Sequence, residues 1–246
     1  MAVKITCYDG VNTIGGNKIL LEDEERHTAL FLDFGMSFSR RSLFFEEYLK
    51  PRPGVGLRDP LRLGLIPPLE GIYRTDLMAA LSEQDRDFLT SQPSHRALSV
   101  QGVYLSHAHL DHSGYISFLR EDLPIYCTAM TAAIAKVVED VGQSGDLERE
   151  VCYFSRRELV NDVLSVAKEG GRSADYLGRP FVIVDEPAFL DSPFWGASPA
   201  GRKGIRPQRV ALPSDRIGDG LVRAFPVDHS LYGATGCAVE TSAGWV

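Results

Sequence analysis

Residues 104–114, YLSHAHLDHSG, carry His107, His109, Asp111 and His112 within one hexapeptide. Imidazole and carboxylate both bind divalent ions, and four such groups this close together read as a metal site. On an extended backbone, residues two apart project to the same side, which lets His107 and His109 converge on one ion. Asp111 and His112 fall where the chain turns into a helix and face a neighbouring position, so two adjacent metal sites are expected. The bland alternative is a polar loop rich in histidine. Against it, the chain has 6 histidines, three of them here, and a fourth, His229, follows the apolar run 221–227 at a comparable strand end. Three neutral imidazoles with an open position make a catalytic type of zinc site, whereas structural sites are closed by four protein ligands, often thiolates. Zinc, manganese and iron all suit this donor set.

The elements that must hold these groups follow from the hydrophobic pattern. An apolar run at 103–105 reads as a strand and 113–120 as a helix, so the cluster sits on a strand-to-helix loop. Upstream, 4–8, 17–22 and 28–33 read as strands, with the charged residues 23–26 as a hairpin tip. The runs 19–21 and 29–32 are nearly continuous in apolar residues, as in strands covered on both faces. Residues 36–98 form a long insertion, broken by Pro51, Pro53, Pro60, Pro67 and Pro68, with short helices at 44–49, 75–81 and 83–89. A segment of this kind is often a lid or binding element. Its aromatics Phe38, Phe44, Phe45 and Tyr48 either pack against the domain or stack on bases. Downstream come a strand at 125–127, a helix at 130–141 capped by Thr128 and stopped by Gly142, a helix at 158–168 ending at Gly170 and Gly171, and a strand at 181–184. Alternating strands and helices predict parallel pairing with helices outside.

HAHLDH matches the HxHxDH signature of the metallo-β-lactamase superfamily. IGGNKILL (14–21) followed by FLDFG (31–35) resembles the opening strands of that superfamily, with Asp33 near the ligands but not one of them. PVDHSLYGA (226–234) resembles the third motif of the ribonuclease J-like, β-CASP branch. The resemblance implies a four-layer αββα sandwich over residues 1–246, interrupted by the insertion at 36–98. It also implies that His107, His109 and His229 hold a first metal, while Asp111 and His112 contribute to a second and hence to catalysis. The activity implied is a zinc-dependent phosphodiesterase (manganese or iron being alternatives) acting on RNA, with single-stranded DNA as an alternative substrate.

The chain also departs from that family. There, a strand after the third motif ends in an aspartate bridging both metals, and a last histidine comes much later. Here 237–241 reads as a strand, 242–244 as a turn, and Trp245 with Val246 as the start of a further strand with no acidic residue after it. Such an ending leaves backbone groups and an indole unpaired, unless Trp245 and Val246 fold back on the chain's own core. The expectation is therefore a C-terminally truncated domain: a fragment, or half of a split enzyme, with a downstream segment or partner chain supplying the bridging aspartate and last histidine.

Length and composition set outer bounds. A chain of 246 residues and 27.1 kDa with 44% hydrophobic residues suffices for one large domain. No apolar run approaches the roughly 20 residues that span a bilayer, and residues 1–10 lack a secretory signal, so a soluble cytoplasmic protein is expected. Cys7, Cys127, Cys152 and Cys237 form no CxxC pair, and each reads as a small buried apolar residue. A net charge of -7 does not favour nucleic acid. Two basic clusters soften that: Arg40, Arg41, Lys50, Arg52, Arg58 and Arg62 in the insertion, and Arg202, Lys203, Arg206 and Arg209 later. Two rival readings stand beside the ribonuclease: a small-molecule hydrolase acting on a thioester or lactam, and a non-catalytic metal-binding subunit completed by a partner.

Overall fold

Strands form where the sequence alternates side chains that can be buried on both faces, and the sheet they build sets the position of every candidate ligand. The computed structural model describes residues 3–142, 147–185, 191–199, 203–207 and 214–246. Six strands, β1 (Val3–Asp9), β2 (Lys18–Asp23), β3 (Thr28–Leu32), β4 (Gly102–Tyr104), β5 (Ile125–Cys127) and β6 (Phe181–Ile183), form one sheet in chain order. The first three pair antiparallel as hairpins, and β3 to β6 pair parallel, as the strand–helix alternation predicts. A second sheet comprises β7 (Arg216–Ile217), β8 (Gly220–Pro226), β9 (Thr235–Thr241) and β10 (Gly244–Trp245), all antiparallel. The fold is mixed α/β.

The period of two in each strand divides the core. Leu21, Leu30, Tyr104 and Tyr126 face the second sheet and meet Ile217, Val222 and Val239. Their neighbours Leu20, Phe31, Val103 and Ile125 face the other way, into a larger core with the insertion and the helix Ala129–Asp140. Both faces of the first sheet are thus covered. Polar ties lock the sheets together. The Tyr104 hydroxyl lies 2.8 Å from Thr235 Oγ1, and buried Asp23 accepts from the Ser242 amide and hydroxyl at 2.6 and 2.8 Å.

The insertion packs as part of the domain, with Leu57, Leu61, Ile66, Leu69 and Leu77 in the main core. Helices occur at Thr75–Ala79 and Glu83–Ser91 as expected, the latter closed by a capping box between Ser82 and Asp85. The helix expected at 44–49 is absent. Instead a turn of helix forms at Phe38–Arg41, where Ser37 accepts from the Arg40 amide. Of the insertion's four aromatics, Phe45 packs against the core, while Phe38, Phe44 and Tyr48 are exposed.

Two further expectations are corrected. Residues 158–168 are not a helix but mostly a β-hairpin, Arg157–Val160 against Val163–Val166. Asn161 and Asp162 both take left-handed φ values, 51° and 62°, which is the backbone a two-residue hairpin turn requires. Trp245 and Val246 are not left unpaired in the backbone. Trp245 pairs with Glu240, and Val246 exchanges both backbone hydrogen bonds with Val239. The Arg223 guanidinium stacks over the Trp245 ring at 4.7 Å.

Candidate metal centre

After β4 the chain leaves the sheet as an extended loop, then enters a short helix at Leu110–Ser113 and a 3-10 turn at Gly114–Phe118, in place of the single helix expected at 113–120. Loop and helix are fixed by the segment after β3. The Phe34 amide donates to the His112 carbonyl, Met36 to Leu110 and Tyr115 to Phe34, all at 3.0 Å. Gly16 donates to the Asp111 carbonyl at 2.8 Å. Gly35 is required by this closeness: a methyl there would overlap the Asp111 carbonyl and stand 2.6 Å from the His112 amide nitrogen. Gly35→Ala is expected to destabilise the fold by about 1–3 kcal/mol, the usual cost of overpacking, and to weaken metal binding as well. Thermal melts with metal titration check this, and an unchanged melting temperature would show that the backbone accommodates the methyl.

His229 reaches the same place from more than a hundred residues away. The Thr235 amide at the start of β9 donates to the Ser106 carbonyl at 3.0 Å, while the Thr128 and Thr131 hydroxyls both donate to the Gly233 carbonyl, at 3.0 and 2.9 Å. The loop between β8 and β9 is therefore held between the metal loop and the start of the helix Ala129–Asp140. His107 Nε2 then lies 3.2 Å from His109 Nδ1 and 3.0 Å from His229 Nε2. Nitrogens bound to one tetrahedral zinc at about 2.0–2.1 Å sit roughly 3.3 Å apart, so the spacing fits a shared ion. Among the described residues, these three histidines are the group of three or more potential ligands that converges.

Asp111 and His112 are not in that group; they adjoin it. His112 Nε2 faces the Asp111 carboxylate at 3.7 Å, and the His112 ring centroid is 4.0 Å from that of His107. Asp33, left-handed at φ 60°, joins this group by hydrogen bonds. Its carboxylate accepts from the Ser106 amide and hydroxyl, each at 2.8 Å, and from His112 Nδ1 at 2.7 Å. Ser106 was not singled out from sequence. Its hydroxyl also lies 3.0 Å from His107 Nδ1, linking Asp33 to the His107 ring. The only signal for it was a small polar residue between strand and first histidine.

The electrostatics suit ligation. Burial, reinforced by the charges of His112, His229 and His109, pushes His107 down to about 3, so its imidazole stays neutral at physiological pH. Burial would lower His112 too, but the Asp33 hydrogen bond and the charges of Asp33 and Asp111 outweigh it and raise the group. Burial and nearby Asp33 push the Cys237 thiol up to about 12, and burial raises Cys127 and Cys152, consistent with inert apolar thiols. Cys7 departs from the expected burial: it lies exposed on the first strand, and Cys237 is only partly buried.

The basic clusters are mostly spent on ion pairs. Arg41 pairs with Glu148, Arg52 with Asp59, Arg58 and Arg62 with Asp85, and Arg206 with Glu169 and Asp175. Arg202 and Arg209 lie outside the described residues. No helix among the described residues is long and apolar enough to cross a membrane.

No protein-family profile matches the chain, and no curated protein matches it. Its fold does have a solved counterpart. A crystal structure of a protein of unknown function from Enterococcus faecalis V583 is similar with a TM-score of 0.54 at 20% identity, over 98% of this chain and 41% of that one. The likeness is one of fold, and this chain spans well under half of that protein's length.

Proposed function

We propose that this chain is a metal-dependent hydrolase of the metallo-β-lactamase superfamily, built on its αββα arrangement, and that its substrate is RNA. The observation that carries the reading is the convergence of His107, His109 and His229 nitrogens on one point, with His107 buried and His229 exposed. A site open on one side leaves room for water and for a polymer. A divalent ion held there lowers the pKa of water toward neutrality and offsets charge on a phosphoryl oxygen. The chain's own part is to keep His107 neutral, to fix the His107 and His112 rings through Asp33 and Ser106, and to set the Asp111 carboxylate beside the first site. Asp111 and His112 alone offer a second ion too few ligands. We propose that the bridging aspartate and last histidine of such enzymes come from a segment or partner outside these 246 residues.

The ion-paired arginines favour a second reading, a hydrolase acting on a small thioester or lactam, because among the described residues most arginines of the two basic clusters already pair with carboxylates rather than facing a phosphate backbone unpaired. A side-by-side time course decides. Zinc- or manganese-loaded protein is given single-stranded RNA, a thioester and a β-lactam, with His107→Ala as the contamination control. Slow RNA cleavage that the substitution abolishes is expected. Turnover of the acyl substrates with RNA left intact would replace the first reading by the second, and fast RNA cleavage would refute the need for outside ligands.

A further inference from the structure

Between the first hairpin and the insertion lies a cavity of about 220 Å³ that the metal centre does not use. One water needs roughly 10–15 Å³ by the same measure, so this is a binding-sized space and not a packing defect. Its polar lining is Tyr8, Asp9, Lys18, Arg40, Gln92 and Ser94, and its apolar wall is the proline-bearing segment 61–68.

The charged groups are unusual in burial and in balance. The Lys18 side chain is 1% exposed; its ammonium donates to the Gly16 carbonyl at 3.1 Å and stands 3.6 Å from Asp9 Oδ2. Arg40 reaches in from solvent to the same Asp9 oxygen, at 3.4 Å. Two cations share one carboxylate, so the cavity carries one positive charge in excess. Burying an ammonium is costly unless it is well paired. Burial indeed lowers Lys18 to about 8 against the raising effect of Asp9, which still leaves it mostly protonated at neutral pH.

We propose that this cavity binds a small organic anion whose carboxylate or phosphate head sits against Lys18 and Arg40 and whose apolar body lies on the 61–68 wall. An oxyanion completes the pairing that Asp9 divides between two cations, and the prolines and leucines give a flat apolar group a surface to cover. None of the candidate metal ligands lines this cavity, and the proposal does not rest on the hydrolase reading.

Titration calorimetry with benzoate, phenyl phosphate and uncharged benzyl alcohol tests it, on wild type, Lys18→Met, Arg40→Gln and the double variant His107→Ala/His229→Ala. At least one anion is expected to saturate the wild type while benzyl alcohol does not, and the stronger of the two anions identifies the head group. Arg40→Gln, at a side chain 40% exposed, should weaken binding about tenfold or more, the usual cost of a lost hydrogen bond to a charged group. Lys18→Met should do at least as much if it folds. The double histidine variant should bind as the wild type does. Absence of saturation by either anion, an unchanged affinity in Arg40→Gln, or loss of binding in the double histidine variant would each overturn the proposal, the last by placing the probe on the metal centre.

Discussion

Protein purified without added metal is expected to carry close to one transition-metal ion per chain, and His107→Ala, His109→Ala or His229→Ala to lose it. The three nitrogens lie at spacings that suit a shared ion, and each substitution leaves two. Losing a residue that merely orients a ligand costs about 10–100-fold in affinity, so losing a ligand itself should cost more than about a hundredfold. Cys127→Ser and His27→Ala are the controls. Cys127 is fully buried with its thiol pushed up by burial, and His27 sits in the turn after β2, so neither should change metal content. Elemental analysis of each variant gives the answer. Unchanged metal in His229→Ala would remove the third ligand from the site, and two near-stoichiometric ions in the wild type would show that Asp111 and His112 suffice for a second.

How much of this was legible in the sequence depends on the range of the interaction. The strands β1 to β3 were readable to within a residue or two, because their apolar runs end at charged or glycine-bearing turns. The helix Ala129–Asp140 was readable because Thr128 caps it, its hydroxyl accepting from the Thr131 amide. Residues 158–168 were misread because leucine and valine spacing there fits a helix as well as a strand, and only the left-handed Asn161–Asp162 pair decides between them. Within the insertion the helices Thr75–Ala79 and Glu83–Ser91 are legible from local pattern, whereas the packing of the rest is not. Its order comes from tertiary burial of Leu61, Ile66 and Leu69 and from ion pairs such as Arg62 with Asp85, which no local period announces. In the site, His107 and His109 follow from i, i+2 geometry. His229 is indicated by its place after the apolar run 221–227 and by motif resemblance, while its physical delivery rests on Thr235 meeting the Ser106 carbonyl, a contact between residues 129 apart in sequence that spacing cannot show.

The second large effect is expected from Asp33→Asn, at a residue that touches no ion. One Asp33 oxygen accepts from the Ser106 amide; the other accepts from the Ser106 hydroxyl and from His112 Nδ1. With its proton given to Asp33, the Ser106 oxygen can accept from His107 Nδ1, 3.0 Å away. Both histidines then carry their proton on Nδ1, which leaves Nε2 of His107 bare toward His109 and His229 and Nε2 of His112 bare toward Asp111. A single carboxylate fixes two tautomers. An asparagine amide has one donor end, so in either orientation it opposes a Ser106 or His112 donor with a donor of its own. Asparagine is the right probe because it tolerates the left-handed backbone at this position, whereas alanine would add about 1–2 kcal/mol of strain and blur the result. Zinc affinity, measured by competition with a chromophoric chelator, should fall about 10–100-fold, and the metal-free melting temperature should drop as well, by the few degrees that about 1–3 kcal/mol for an opposed buried donor implies. A variant that keeps wild-type affinity would mean that the rings are oriented by packing and that Asp33 has no part in the centre.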